Sequence, residues 1–251
     1  MTIPESTWVR YVNMLSAINK TAARKYTAYL NGRDLGSREA REAAIRYAYA
    51  LATRYGESAA ATACEMYDAI AAASRVAVPA AVPAATADFG EVAKTVNGMI
   101  RQEVSAESMG SAVARLVKRA GADTTLQNAA RDQAEFAWIP HGDSCAFCLM
   151  LASAGWRRAS KNTVQGGHAE HIHANCDCTF EIRFNSRTEY AGYNPEKYRE
   201  MFDETDGSSW DDKVNSIRRR QYAENSEEIN AQKREAYAER KERLGETEQN
   251  G

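Results

Sequence analysis

Cysteine and histidine, the side chains that most often bind metals or act as nucleophiles, are concentrated in one stretch of this chain. The segment "CAFC" (145–148) is followed by "HIHANCDC" (171–178). Four of the five cysteines and all four histidines lie between His141 and Cys178 of a 251-residue chain. Paired cysteines at this spacing are typical of structural zinc sites. The stretch therefore predicts a metal-binding module.

The candidate zinc ligands occupy the paired positions of this stretch. The C-x-x-C sequence places two thiols on one tight turn, and the second half offers two more thiols and a histidine. The predicted ligands are Cys145, Cys148, His173, Cys176 and Cys178. Either the four cysteines complete a tetrahedron or His173 replaces one of them. We expect His168 and His171 to be loop residues or hydrogen-bond donors to the ligands.

The segment "TFEIRF" (179–184) links the second cysteine pair to a strand. Its strict alternation predicts a half-buried strand with Phe180, Ile182 and Phe184 on the inner face. Cys176 and Cys178 share the parity of these residues, so both thiols would face inward if the strand began that early. A small core of this kind gains much of its stability from a bound ion.

Disulfide bonds are the main alternative use of the cysteines. The start, "MTIPESTWVRYVNML", has no basic segment followed by an apolar run, so we expect no secretory signal. No window is long and apolar enough to predict a membrane span. A protein made in a reducing cytoplasm more often uses clustered cysteines for metal. One or two disulfides stay open as an alternative for a protein that ends in a particle leaving the cell.

Three enzymatic interpretations of the same residues are weaker. "HAE" (168–170) has the H-x-E pattern of zinc deaminases, but there the histidine precedes the cysteines, and here it follows them. A cysteine nucleophile would need a lone thiolate beside a base, whereas these cysteines are paired. "HIHAN" (171–175) suggests a zinc-dependent, nuclease-like enzyme, but no phosphate-binding Gly or Arg cluster lies near it. We therefore expect no enzymatic activity and no small-molecule substrate.

The front of the chain predicts a helical domain over residues 1–136. Apolar residues recur at helical spacing from Trp8 to Ile18, from Ala44 to Ile70 and from Phe89 to Val117. Abundant alanine favours helices that approach one another closely. Pro79 and Pro83 predict an extended spacer near 78–85.

Glycines and polar residues suggest where these helices end. We expect Asn31-Gly32 to end the first helix and Gly56 to interrupt the second, with Ser58 as the next cap. Gly121 is expected to stop a later helix, after which Asp123 or Thr124 would cap the next.

The remainder predicts a Cys/His metal-binding α+β module over residues 137–205 and a charged helical tail over 206–251. Short helices are expected at "CLMLASAGW" (148–156) and "YNPEKYREMF" (193–202). From Asp212 to Gly251 the chain holds nine Lys and Arg against nine Asp and Glu. Interleaved charges favour a solvated helix over a nucleic-acid arm. A zinc-stabilised DNA-binding protein, which would grip DNA through this tail, is therefore only an alternative function. The fold class is mainly α.

Two segments carry a resemblance to a known family. "TTLQNAARDQAEFAWIPHGDSCAFCLMLASAGWRRAS" (124–160), followed by "HIHANCDCTFEIRF" (171–184), resembles the minor capsid, or head-morphogenesis, proteins of tailed bacteriophages. Those of actinobacterial phages related to the Mu F-like group are the most similar. The resemblance covers roughly residues 120–245, and its most specific parts are "CAFCLMLAS" and the H-x-x-C-x-C pattern of residues 173–178.

The resemblance implies a structural virion protein of low copy number, located at the portal and inside the head. It would act in capsid assembly and in DNA packaging or ejection, after assembly in the host cytoplasm. The implied partners are the portal and major capsid proteins, with packaged DNA as a further candidate and no membrane. His173, Cys176 and Cys178 fill the family's downstream pattern, and Cys145 and Cys148 fill its upstream pair. Some relatives carry a fused protease or toxin domain, for which this chain has neither length nor motif.

Overall fold

The structure is a computed structural model that describes residues 2–141, 144–160 and 178–227, together with residues 230, 231 and 234. It is mainly helical, as predicted. The helices are α1 (Glu5–Leu30), α2 (Arg38–Ala73), α3 (Phe89–Arg101), α4 (Ala106–Arg131), α5 (Ala146–Ala152), α6 (Pro195–Glu204) and α7 (Trp210–Glu224). The strands are β1 (Thr2–Ile3), β2 (Glu135–Ile139), β3 (Arg157–Arg158), β4 (Thr179–Arg183) and β5 (Glu189–Tyr190). Across these ranges no helix is long and apolar enough to cross a membrane.

The long helices α1, α2 and α4 pack with their backbones in close contact. A Cβ added to Gly110 of α4 would meet Thr27 of α1 and lie 2.8 Å from the carbonyl oxygen of Ala23. One added to Gly121 would lie 3.3 Å from the carbonyl oxygen of Ala59 in α2. Small residues at these crossings therefore set the distance between the helices, as the alanine content predicted.

Two glycines that were predicted to break helices lie inside them. Helix α2 continues through Gly56, and α4 continues through Gly121, so the predicted interruption and stop are wrong. The physical reason is that a neighbouring element leaves little room for a side chain at these two positions. A Cβ at Gly56 would lie 2.8 Å from the Thr86 side chain. The predicted cap Thr124 is instead a buried helical residue whose hydroxyl donates to the Ala120 carbonyl at 2.7 Å.

Other predicted ends are confirmed. Helix α1 ends at Leu30, and Gly32 follows with a φ of 73° that favours glycine. Helix α5 ends at Ala152, three residues before Gly155 with its φ of 60°. The helix predicted at "YNPEKYREMF" is α6, which begins at Pro195.

The proline-containing spacer is not helical, as predicted, and it is anchored along α4. Asn128 accepts a hydrogen bond from the Val82 amide at 2.9 Å and donates one to the Val82 carbonyl at 2.8 Å. The Thr124 hydroxyl accepts from the Ala84 amide at 3.0 Å. Side chains of α4 thus satisfy the backbone groups that a spacer cannot pair within itself.

The main sheet has the order β3-β2-β4 and is antiparallel. Trp138 pairs with Phe180 and Phe136 with Ile182, so these rings and side chains share one face, packed in a core with Met66 of α2 and Leu126 of α4. The strand prediction for "TFEIRF" is confirmed as β4. The expected exposed face is wrong, because Glu181 on that face is 0% exposed.

The N-terminus joins the sheet region. Strand β1 pairs in parallel with β5, and Ile3 and Trp8 belong to the same core cluster as Trp138 and Phe180. This core thus contains residues from both sides of the predicted boundary at 136/137. The division into domains stays a prediction.

The start of the charged tail forms α7, which packs on α5. Val214 and Ile217 are buried against Ala146 and Met150. The tail was predicted to be a solvated helix, and in its first part these two apolar side chains pack against α5. Residues 235–251 of the predicted tail lie outside the described residues.

Candidate metal centre

The upstream cysteine pair lies at the start of α5. Cys145 precedes the helix and is partly exposed, and Cys148 lies within it and is buried. Their Sγ atoms are 3.5 Å apart. Two thiolates, each about 2.3 Å from a tetrahedral zinc ion, lie about 3.8 Å apart. A disulfide requires about 2.0 Å. The spacing therefore suits two ligands of one ion.

Cys178 lies directly before β4, with its thiol buried. Its Sγ is 3.2 Å from Ser144 Oγ, and Ser144 is the neighbour of Cys145 in the chain. Ser144 Oγ is also within hydrogen-bond distance of the His141 carbonyl, at 3.1 Å. When the serine hydroxyl donates to that carbonyl, the thiol of Cys178 donates to the serine. The third predicted ligand thus lies against the turn that carries the first two.

The other two predicted ligands, His173 and Cys176, lie outside the described residues, as do His168 and His171. Within the described ranges, which contain Cys145, Cys148 and Cys178, no three His, Cys, Asp or Glu side chains form a group that could hold a metal ion. The choice between four cysteines and three plus His173 stays open, because Cys176 and His173 lie outside those ranges. Thiolates and imidazoles are the donors that zinc prefers, so the predicted set fits that ion.

Helix α7 supports the cysteine turn from the outside. Gln221 Nε2 donates to the Ser144 carbonyl at 2.9 Å. The ring of Trp210 meets the edge of Phe147, which lies between the two cysteines, at a centroid distance of 5.4 Å. Sequence reasoning did not connect this helix with the site. The signal was present as the apolar pair Val214 and Ile217, three residues apart in a charged segment.

A buried polar chain beside the centre was also missed from the sequence. The Thr179 hydroxyl donates to Glu181 Oε1 at 2.7 Å. His141 Nε2 lies 3.3 Å from the same hydroxyl, and it is the donor when the hydroxyl proton is directed at Glu181. Thr179 follows Cys178 directly, so these hydrogen bonds orient the strand end that carries the thiol.

The Glu181 carboxyl, at the centre of these hydrogen bonds, has a raised pKa. Burial raises its pKa to about 8, an effect that the hydrogen bond from Thr179 partly offsets. Burial, with the nearby carboxyl, also raises the pKa of Tyr190 well above its usual range. The signal in the sequence was strand β2, "EFAWI", whose consecutive apolar residues predict a strand covered on both faces. Glu181 pairs with Ala137 of this strand, so it is buried although its side chain is a carboxyl.

Comparison with known proteins places the chain in a family. A family model described as VG15 protein matches residues 2–205. The chain belongs to the VG15 protein family. VG15 is a phage-associated protein family, so membership fits a phage protein. The matched range contains helices α1 to α6 and every predicted ligand, and it ends before α7. No curated protein and no solved structure matches the chain.

Proposed function

We propose that this VG15-family protein is a structural minor capsid protein of a tailed phage. It acts in head assembly and, at the portal, in DNA packaging or ejection. The observation that carries the proposal is the match of a phage-associated family over both the helices and the cysteine-bearing sheet. Its proposed partners are the portal and major capsid proteins, with packaged DNA beside it in the head. It assembles in the host cytoplasm and resides in the virion.

The burial of the cysteines supports a structural role rather than a catalytic one. The thiols of Cys148 and Cys178 are buried, at 1% and 0% exposure. A nucleophilic cysteine is partly exposed in an electropositive surrounding. Thiols buried against Ser144 and the sheet are instead placed to hold parts of the fold together.

We further propose that Cys145, Cys148 and Cys178 hold one structural zinc ion, together with Cys176 or His173. The 3.5 Å separation of the first two sulfurs and the contact of Cys178 with Ser144 support this set. When bound, the ion supplies folding free energy by linking α5 to the start of β4. Ser144 and Gln221 hold the turn in place, because one contacts a ligand and the other donates to the turn's backbone.

The metal proposal is tested by elemental mass spectrometry of the purified chain, with a thiol count under denaturing conditions. We expect about one zinc per chain and five thiols. The double variant Cys145→Ser, Cys148→Ser should lose the zinc and unfold at a lower temperature. Cys64→Ser is the matched control, because Cys64 lies in α2, and it should keep the zinc. Unchanged zinc content in the double variant, or paired thiols in the wild type, would overturn the proposal.

The capsid proposal is tested in the phage itself. Mass spectrometry of purified virions should detect the protein at low copy number relative to the major capsid protein. A phage with the gene deleted should yield few DNA-filled heads by electron microscopy, and a plasmid copy should restore them. If virions lack the protein, or if heads assemble and fill normally without it, the assembly role is wrong.

A further inference from the structure

We infer that the cavity between α1, α4 and the main sheet is a built site for two ordered water molecules. This cavity, named here the joint cavity, has a volume of about 30 Å³. Its lining includes Asn19 from α1, Lys118 and Thr125 from α4, Trp138 from β2, and Cys178. The inference uses only these protein contacts, so it is independent of the proposed zinc ion and capsid role.

Two of the lining residues each carry a buried polar atom, and from these atoms we infer what the joint cavity holds. Asn19 Oδ1 is a hydrogen-bond acceptor and Trp138 Nε1 is a donor, and neither has a partner among the described residues. Both side chains are deeply buried, at 6% and 4% exposure. A polar group that is left unpaired in the interior destabilises the fold, because it has given up its hydrogen bonds to bulk water. The lowest free energy therefore requires an occupant that offers both an acceptor and a donor.

Water meets this requirement. It accepts from Trp138 Nε1 and donates to Asn19 Oδ1. The Thr125 hydroxyl, which donates to the Gly121 carbonyl, keeps lone pairs that accept a further hydrogen bond. A single water needs roughly 10–15 Å³ of such a cavity, so the volume suits two.

Other occupants fit less well. An apolar molecule would leave both Asn19 Oδ1 and Trp138 Nε1 unpaired. A cation would face the side chain of Lys118, which also lines the joint cavity. An anion would face the carbonyl oxygen of Asn19. Water is therefore the occupant that the lining favours.

The two waters would join the helices to the main sheet. Asn19 lies in helix α1, whereas Trp138 lies in strand β2 of the main sheet. Cys178 directly precedes β4, the neighbouring strand of that sheet. A bridge between them would fix the angle at which the sheet rests on α1 and α4.

The test counts internal waters in the wild type and in variants, by oxygen-17 magnetic relaxation dispersion and by high-resolution crystallography. In the wild type, two long-lived waters should contact Asn19 Oδ1 and Trp138 Nε1. Asn19→Leu should lose both, because leucine removes the acceptor and fills the space. Trp138→Phe keeps an aromatic ring but removes the donor together with part of the indole, so the water held by Trp138 Nε1 should be lost. This second variant serves as the test if Asn19→Leu does not fold. Thr53→Val removes a buried hydroxyl in α2 that does not line the joint cavity, and it is the matched control. In crystals it should keep both waters of the joint cavity, and a water lost beside residue 53 itself is counted separately.

Xenon gas applied to wild-type crystals tests the opposite outcome. A cavity that holds ordered water should exclude xenon, whereas a dry apolar one binds it. Xenon density in the joint cavity, or an equal count of long-lived waters in the wild type and in Asn19→Leu, would overturn the inference.

Discussion

The helical body (α1 to α4) and the cysteine module (β2 to α6) are stabilised in different ways. In the body, the long helices make their closest contacts at small residues, where an added side-chain atom would collide with a neighbouring helix. In the module, the interior contains aromatic rings, thiols and a buried carboxyl. The stability of the body therefore depends on the fit between helix surfaces. The stability of the module depends on hydrogen bonds to its buried polar groups and, in our proposal, on a bound zinc ion.

This difference has a physical origin in the elements themselves. Helices satisfy their own backbone hydrogen bonds, so long ones need only matching surfaces to pack. The module has short elements that meet residues distant in sequence, such as Ser144 with Cys178 and with Gln221. Specific polar contacts must then set their geometry. Changes of volume should therefore damage the body most, and changes of polarity should act most on the module.

The largest effect is expected from Gly110→Ala in the body. The new Cβ would lie 2.8 Å from the Ala23 carbonyl oxygen, so α1 and α4 must separate. We expect a loss of about 3 kcal/mol in the free energy of unfolding, measured by urea denaturation. Gly98→Ala in α3 is the matched control, because a Cβ there meets nothing within 4 Å. It should stabilise by about 0.5–1 kcal/mol. Equal effects of the two variants would contradict packing by shape.

Glu181→Gln in the module should produce an effect that depends on pH. The folded state raises the carboxyl pKa from 4.5 to about 8, so the unfolded chain releases this proton first as pH rises. Wild-type stability should fall between these two values, by about 3 kcal/mol at pH 7, and the variant should lack this slope. Urea denaturation from pH 4 to 9 measures it. Glu65→Gln, an exposed carboxylate in α2, reports the general effect of removing a negative charge. A wild-type slope that persists in Glu181→Gln would show that this carboxyl is not the cause.

The smallest effect is expected from Ser209→Ala at the start of α7. Ser209 and Asp212 form a capping box, in which the Ser209 hydroxyl accepts from the Asp212 amide at 3.1 Å. Its loss should destabilise α7 by about 1 kcal/mol. Hydrogen exchange should then be faster in α7 and in α5, whose residues Ala146 and Met150 it covers, and unchanged in α2. Faster exchange throughout the chain would instead indicate that α7 stabilises the whole protein.

Local patterns predicted most elements of this fold. The helical spacing that begins at Trp8 became α1, the alternation after Cys178 became β4, and the phage resemblance agrees with membership of a phage-associated family. The errors arose where one residue type has two uses. Glycine ends helices by adopting positive φ and also admits close contact between them. Only the positions of neighbouring helices show which use applies at Gly56 and Gly121.

The sequence by itself determined the helical content, the spacer at Pro79 and Pro83, and the position of the cysteine pairs, because each follows from residues near one another in the chain. The tertiary structure decided the burial of Glu181, the docking of α7 on the cysteine turn and the hydrogen bonds of the spacer with α4. The reason is physical. Burial and pairing depend on which distant surface covers a residue, and nothing in a residue's own neighbourhood encodes that partner.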